Sequence, residues 1–183
     1  MEDRSREFER IYQSTQRDLF VYILRSVRNE DLARDILQDA FVNFIKAFKV
    51  KELPPDVNCR MYIFRIARHL IINNARSVDI RKTTAVPDTD IYSSGSSNEN
   101  LPENELLKND AKNEVKALLN ELLSGLAEEQ RTAVILKYLQ KMKLAEIADI
   151  LDTSIATASR YVQRGMMQLV EGAEKKGIKL ENF

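Results

Sequence analysis

The stretch LAEIADILDTSIATASRYVQRGMMQL, residues 144–169, decides the fold of the C-terminal part of the chain. Its apolar residues recur at helical spacing in two segments, which the short turn Asp152-Thr153-Ser154 separates. Ser154 is a good N-cap for the second segment, because its hydroxyl can accept a hydrogen bond from a free N–H at the helix start. Two short helices joined by a three-residue turn have the dimensions of a helix-turn-helix.

The second of these helices is predicted to have an inward apolar side and an outward polar side. The inward side carries Ile155, Ala158, Val162, Met166 and Leu169. The outward side carries Thr157, Ser159, Arg160, Gln163, Arg164 and Gln168. These outward side chains donate to phosphates and base edges, and no acid occurs between Ser154 and Val170. DNA binding is therefore one interpretation, and a helical hairpin with an ordinary solvated face is the alternative.

The rest of the chain also has helical periodicity. Apolar stripes predict helices over about 8–27, 33–48, 60–76, 107–122 and 127–140. No segment alternates with the period of two that a half-buried strand requires. The predicted fold class is all-α, with two small helical domains joined by a flexible linker, and the C-terminal domain is the helix-turn-helix.

Composition places the domain boundaries. The segment 81–110 contains the run SSGSSNEN and two prolines, and this polar, breaker-rich composition is typical of a linker. We therefore expect domains at 1–80 and 111–183, with the flexible linker at 81–110.

Several function classes are disfavoured by composition. With 28 basic and 28 acidic residues the net charge is zero, which excludes a polybasic protein that binds nucleic acid by bulk charge. One cysteine and one histidine exclude an intrachain disulfide and a Cys/His zinc site. No Gly-x-Ser-x-Gly elbow accompanies His69. We expect no enzyme activity, no metal and no cofactor.

The N-terminus MEDRSREFER is charged, and no apolar run approaches the ~18 residues of a membrane span. We therefore expect a cytoplasmic protein without membrane insertion.

The third helix carries a basic row. Arg65, Arg68, His69 and Arg76 fall on one helical face together with Asn73, and Arg60, Arg81 and Lys82 flank them. A one-sided row in a neutral chain is typical of a phosphate track. The alternative is a solvated face that pairs with acids elsewhere in the domain.

The second helix carries an acidic row instead, formed by Asp31, Asp35, Gln38, Asp39 and Asn43. Carboxylates at i, i+4 and i+8 repel one another, so the row is either a docking surface for a basic partner or a solvated face. A carboxylate metal site is disfavoured, because all these groups lie on one helix face without a second converging element.

Three motifs resemble one known family. ILQDAFVNFIKAF at 36–48, MYIFRIARHLIINNAR at 61–76 and the stretch 123–169 resemble, in order and spacing, the core-binding helix, the promoter-melting helix and the C-terminal module of bacterial sigma factors of the sigma-70 family. Two modules with a short linker resemble the compact extracytoplasmic-function group. The usual turn glycine is replaced here by Asp152, which can adopt a left-handed conformation at some cost.

The resemblance implies partners and site residues. It implies binding to core RNA polymerase and promoter DNA, and an anti-sigma factor is a further candidate partner. Residues 1–80 would be region two and residues 111–183 region four. The polymerase-binding residues would be Asp35, Gln38, Asp39 and Asn43. The −10 element would be held by Lys49, Lys51, Asn58, Arg65, Arg68, His69 and Arg76. The −35 element would be read by Thr157, Ser159, Arg160, Gln163 and Arg164.

Two other function classes remain open at this point. One is a helix-turn-helix transcription regulator that acts on duplex operator DNA without sigma activity. The other is a pure interaction protein, such as a sequestering regulator. Neither requires the acidic row of the second helix to bind polymerase.

Overall fold

The computed structural model describes residues 2–49, 51, 53, 55–84 and 110–178. Over these ranges the chain is helical and contains no strand, which confirms the predicted all-α class. The helices are α1 (Glu2–Val27), α2 (Glu30–Phe48), α3 (Asp56–Thr84), α4 (Asp110–Ser124), α5 (Glu128–Val134), α6 (Leu144–Leu151) and α7 (Ile155–Lys175), with a π-helical turn at Ile135–Leu139. Most of the expected linker 81–110, and the expected helix start at 107, lie outside the described residues.

Helices α1, α2 and α3 pack together around an aromatic core. Tyr22, Phe44 and Phe64 are fully buried, and the rings of Tyr22 and Phe64 lie 5.5 Å apart. The connection between α1 and α2 is short, and Asn29 caps α2, its Oδ1 accepting from the Leu32 N–H at 2.8 Å. We refer to α1–α3 as the N-terminal unit.

Helices α4–α7 form the C-terminal unit, and α6 and α7 are the predicted helix-turn-helix. Ser154 caps α7 as predicted, its Oγ accepting from the Thr157 N–H at 3.1 Å. Asp152 has the left-handed conformation, with φ 53° and ψ 52°, that the turn requires. At the other end of α6, the Glu146 carboxylate accepts from the Lys143 N–H at 2.7 Å.

The helix predicted over 127–140 is divided in the structure. Its second half, Ile135–Leu139, is a π-helical turn, which the Gln140 N–H closes by donating to the Ile135 carbonyl at 3.1 Å. A π turn inserts one extra residue, so the side chains beyond it rotate relative to a regular helix. Tyr138 and Leu139 are consequently exposed, whereas Gln140 is buried.

Ile155, which was predicted to face inward, does not, and Ile45 in the apolar stripe of α2 is exposed as well. Ile155 is 55% exposed, because it is the first residue of α7 and the core side of that helix is occupied by Ala158, Val162 and Gly165. Ile45 is 43% exposed on α2, where Phe44 and Phe41 take the buried side.

The two units are packed against each other. Helix α3 contacts α6, and α1 contacts α4 and the π turn. Across this boundary the buried Gln140 donates from Nε2 to the Asp18 carbonyl at 3.0 Å. The described buried residues of both units form one continuous apolar cluster.

None of the helices in the described part of the chain is long and apolar enough to cross a membrane.

Candidate nucleic-acid interface

The N-terminal half of α7 presents the donor row expected from the sequence. Arg160, Gln163 and Arg164 are exposed, while Thr157 and Ser159 are half-buried at the same surface. Arg160 donates from Nη2 to the Thr157 hydroxyl at 3.0 Å, and the Ser154 hydroxyl lies 3.0 Å from the same atom. The structure therefore brings the five −35 candidates together on one open surface.

Sequence reasoning missed the first turn of this surface. Ile155 and Ala156 are both exposed at the helix start, next to the capping Ser154. The signal was present, because a residue directly after an N-cap precedes the first complete turn and need not follow the inward stripe. The exposed Ile155 therefore places apolar surface beside the row of hydrogen-bond donors.

Close packing holds α7 in position. A Cβ added at Gly165 would lie 2.7 Å from Val134 Cγ2 and 3.2 Å from the Gln130 carbonyl. Helix α5 therefore approaches α7 at a point where only glycine fits. Ala148 and Ala158 are likewise small and buried where α6 and α7 pack.

The basic row of α3 does not behave as one surface. His69 and Arg76 are exposed, whereas Arg65 and Arg68 each face an acid of the C-terminal unit. Arg65 Nη2 lies 3.6 Å from Asp152 Oδ1, in the turn of the helix-turn-helix. The row thus divides into an exposed part and a part engaged with the second unit.

Arg68 is the most covered of the α3 cations. Its side chain is 11% exposed, and Nη2 donates to Glu128 Oε2 at 2.9 Å. The other oxygen of Glu128 accepts from the Thr132 hydroxyl at 3.0 Å. Arg68 Nε has no hydrogen-bond partner within the described residues. Arg68 therefore pairs with an acid, but this acid belongs to the C-terminal unit and not to the same domain, where the alternative interpretation placed it.

Tyr22 lies beside this pair. Its side chain is fully buried, and its hydroxyl lies near the Thr132 side chain without a hydrogen bond of good geometry in the part of the chain that the structure describes. Burial raises the pKa of the Tyr22 phenol above its ordinary value, and the nearby Glu128 carboxylate raises it further. The phenol therefore remains protonated throughout the neutral pH range.

The segment between α2 and α3, together with the first turn of α3, places the remaining −10 candidates at the surface. Lys49, Lys51 and Asn58 are exposed. The guanidinium of Arg4 donates to the carbonyl oxygens of Lys49 and Lys51, which ties this segment to the start of α1. Sequence reasoning did not identify Arg4, because no local pattern links residues separated by more than forty positions.

The exposed face of α2 contains all four candidate polymerase-binding residues. Asp35, Gln38, Asp39 and Asn43 are exposed. Val42 and Ile45, which are 37% and 43% exposed, lie among them. The face is therefore mixed acidic and apolar rather than purely acidic, as suits a docking surface more than a solvated one.

Within the described ranges no three His, Cys, Asp or Glu side chains are grouped in a way that could hold a metal ion. Cys59 is buried in the N-terminal core.

Comparison with known families matches both units. Residues 11–80 match the model for sigma-70 region 2, and residues 116–169 match the model for sigma-70 region 4. The first match includes α2 and most of α3, and the second includes the helix-turn-helix.

Two relatives from Bacillus subtilis cover most of the chain. The ECF RNA polymerase sigma factor SigM is 24% identical over 164 residues, covering 88% of this chain and 91% of SigM. The ECF RNA polymerase sigma factor SigW is 27% identical over 151 residues, covering 77% of this chain and 75% of SigW.

Two solved structures share the fold. CnrH, in complex with the cytosolic domain of CnrY, matches with a TM-score of 0.67 at 18% identity, over 93% of this chain and 90% of CnrH. The sigma factor RpoE from Bartonella quintana, in complex with the anti-sigma factor NepR, matches with a TM-score of 0.58 at 16% identity, over 95% of this chain and 98% of RpoE. With two region matches in the expected order and relatives along nearly the whole length, the chain belongs to the sigma-70 family of RNA polymerase sigma factors, in its extracytoplasmic-function group.

Proposed function

We propose that this sigma factor binds core RNA polymerase through the exposed face of α2 and directs it to promoters with α3 and α7. Residues 1–80 take the polymerase and the −10 element, and residues 111–183 take the −35 element, with 81–110 as the tether. One observation about the surfaces of α2 and α7 supports the proposal. A mixed acidic and apolar face on α2 and an open donor row on α7 lie in the two segments that match sigma-70 models.

The α2 face fits a basic, partly apolar partner. Asp35 and Asp39 offer carboxylates one turn apart, Gln38 and Asn43 offer amides, and Val42 and Ile45 offer apolar area. Charge-assisted hydrogen bonds to such carboxylates are worth about 1.5–3 kcal/mol each. This face supplies the affinity for core polymerase, which then holds both DNA-binding units on one promoter.

The roles at DNA differ between the two helices. On α7, Arg160 is long enough for a two-pronged contact to guanine, and Gln163 can pair with adenine. Thr157 and Ser159 lie near the helix start, where backbone phosphates are contacted. On α3, His69 and Arg76, together with Lys49, Lys51 and Asn58, hold the −10 strand, and Arg65 and Arg68 join them once released from the C-terminal unit.

The test of polymerase binding is the charge reversal Asp39→Arg. We expect at least a tenfold loss of affinity for purified core polymerase in a competition assay, with unchanged helical content by circular dichroism. Glu7→Arg, an equal charge change at an exposed position of α1, is the matched control and should bind normally. Unchanged competition by Asp39→Arg would refute the assignment of this face.

The alternative, a helix-turn-helix regulator that acts without polymerase, is disfavoured because it gives α2 and its region-two match no role. Run-off transcription with core polymerase separates the two, since only a sigma factor makes initiation depend on the added chain. As a sigma factor the chain contributes binding, while the polymerase carries out the bond-forming chemistry in the cytoplasm. The structural neighbours solved with NepR and CnrY support an anti-sigma factor as a further partner.

A further inference from the structure

We propose that Arg4 is a positioning residue for the −10 strand. Its guanidinium holds the segment between α2 and α3 by the carbonyl oxygens of Lys49 and Lys51, and thereby sets where these two lysine side chains meet DNA. This inference rests on the proposed function for the DNA-binding role of the two lysines. The hold on their backbone is carried by contacts within the N-terminal unit.

One side chain reaches two carbonyl oxygens. Arg4 Nη1 donates to the Lys49 carbonyl at 3.2 Å, and Nη2 donates to the Lys51 carbonyl. These acceptors lie 45 and 47 positions further along the chain. Because the donors of a guanidinium form a planar, rigid fork, a single arginine fixes the two carbonyls relative to each other.

The end of α2 is a favourable place for a cation. The helix ends at Phe48 with Lys49 as its C-cap residue, and the last carbonyls of a helix have no partner inside it. The helix dipole makes this end negative, so a positive side chain that hydrogen-bonds there is stabilising. Helix α1 therefore supplies part of the C-terminal capping of α2.

The position of Arg4 is unfavourable for its own helix. Arg4 lies in the first turn of α1, where the positive end of the dipole favours acidic residues over basic ones. A residue that opposes the local preference of its helix is a candidate for a role elsewhere in the fold. The contact with the segment after α2 provides that role.

Apolar contacts lie on both sides of the held backbone. The Phe8 ring, one turn further along α1, packs edge-on against Phe44 of α2 at 5.9 Å. Leu53 is half-buried against the apolar core. Between these contacts the side chains of Lys49 and Lys51 are exposed. Their backbone is thus held by the protein while their ammonium groups face solvent.

A backbone that is ordered before binding improves the binding of its side chains. A lysine on a free segment loses backbone conformational entropy when it binds a phosphate, and this loss weakens the contact. Arg4 imposes that order in the free protein. It is half-buried with its guanidinium engaged by the two carbonyls, so its contribution passes through the lysines rather than through a DNA contact of its own.

Trypsin tests the hold directly, because it cleaves after the same two carbonyls that Arg4 binds. The full-length variants Arg4→Ala and Arg6→Ala are compared by mass spectrometry. Arg6 is the matched control, since it is exposed on the same helix and forms no hydrogen bond or ion pair within the described residues. We expect cleavage after Lys49 or Lys51 to be at least about fivefold faster in Arg4→Ala than in Arg6→Ala and in the wild type.

Equal cleavage rates in Arg4→Ala and Arg6→Ala would overturn the hold. If Arg4→Ala loses helical content by circular dichroism, Arg4→Lys replaces it, because lysine keeps the charge without the fork. A smaller acceleration of cleavage is then expected, and no acceleration counts against the proposal.

A double-mutant cycle separates positioning from a general effect on the fold. Holoenzyme containing each variant is titrated with a fork-junction DNA whose −10 segment is single-stranded, taken from a promoter selected by run-off transcription. Arg4→Ala should weaken binding by at least about fivefold in the wild-type background. It should weaken binding by less than about twofold when Lys49→Ala and Lys51→Ala are present, because those variants keep the carbonyls but lack the side chains that are positioned. Affinity for core polymerase should stay unchanged.

The cycle has two outcomes that would overturn the positioning role. One is an equal loss in both backgrounds, because a direct contact between Arg4 and DNA, or a general loss of stability, predicts additive effects. The other is the absence of any loss with Arg4→Ala in the wild-type background.

Failure of the proposed function gives different results. If Lys49→Ala with Lys51→Ala binds the fork DNA normally, the −10 role of these lysines is wrong, and the positioning role is wrong with it. If the wild type does not bind core polymerase, the sigma function itself is refuted. In both cases the trypsin rates still report whether Arg4 holds the segment.

Discussion

Helices α3 and α7 both carry rows of cations that resemble DNA-binding surfaces, but the α7 row is exposed whereas part of the α3 row is paired with acids. On α7 the row is open to solvent, with Arg160, Gln163 and Arg164 exposed. On α3 the row is split, because Arg65 and Arg68 face acids of the other unit while His69 and Arg76 are exposed. A row of cations in a sequence therefore identifies a surface but does not establish whether it is available.

The buried sides of the two helices differ as well. Helix α3 buries large and medium-sized side chains, with Phe64 and Ile63 fully enclosed. Helix α7 buries small ones, with Ala158 and Gly165 at close approaches to its neighbours. We expect α3 to be anchored by buried apolar area, and α7 to be positioned by close approach of the backbones.

The largest expected change is in the free energy of unfolding when a buried side chain of α3 is removed. Phe64→Ala removes a fully buried ring that packs on Tyr22 at 5.5 Å, and should lower the free energy of unfolding by about 3–5 kcal/mol. Met167→Ala on α7 removes an exposed apolar side chain and should change it by less than about 0.5 kcal/mol. Urea denaturation followed by circular dichroism measures both, and similar losses would contradict the anchoring argument.

The next effect concerns base reading on α7. Arg160→Ala should relax the preference at one or two −35 positions by about 1–3 kcal/mol. Arg164→Ala should weaken all promoters about equally and lower the salt slope by about one unit. Run-off transcription from a promoter library at two salt concentrations distinguishes them. A parallel loss on every promoter with Arg160→Ala would show that this residue anchors rather than reads.

A smaller effect tests the close approach of α7. Gly165→Ala places a Cβ 2.7 Å from Val134 Cγ2, and the overpacking exceeds the gain in helix propensity. We expect a net loss of about 1 kcal/mol in the free energy of unfolding. At Gly172 the added Cβ meets only the end of the Leu122 side chain, so Gly172→Ala should be neutral or stabilising by up to about 1 kcal/mol. Thermal unfolding of the Gly165→Ala and Gly172→Ala variants tests this prediction. Equal shifts of Tm in the two variants would argue against a special contact at Gly165.

The smallest effect lies where the two units meet. Tyr22→Phe removes a buried hydroxyl without a hydrogen-bond partner in the described structure, and should stabilise the protein by up to about 1 kcal/mol at pH 7. Because burial raises the folded pKa of Tyr22, only the unfolded phenol ionises as pH rises past about 10. The wild type should therefore lose stability between pH 9 and about pH 10.5, and the Phe variant should lose less. Parallel losses in the two proteins would mean that Tyr22 ionises in the folded state.

Much of the fold was readable from sequence because its signals are local. Apolar residues three and four positions apart predicted the helices, Ser154 marked the start of α7, and the turn Asp152-Thr153-Ser154 separated α6 from α7. Where prediction failed, the cause was equally specific. The π turn at Ile135–Leu139 has no repeating apolar pattern that distinguishes it from an α-helix. Ile155 fits the apolar stripe of α7, although it is exposed in the first turn of that helix.

Helical periodicity, capping and motif spacing were enough to predict the helical segments, the helix-turn-helix and the family. The particular roles of those residues at polymerase and DNA remain predictions. Which of the α3 cations are paired with acids depends on how the helices pack. Arg68 and Glu128 are sixty positions apart, and their pairing depends on how two helical units pack rather than on any spacing along the chain. Periodicity reports the side of a helix that avoids water, but an ion pair between distant helices depends on a geometry that forms only when both are in place.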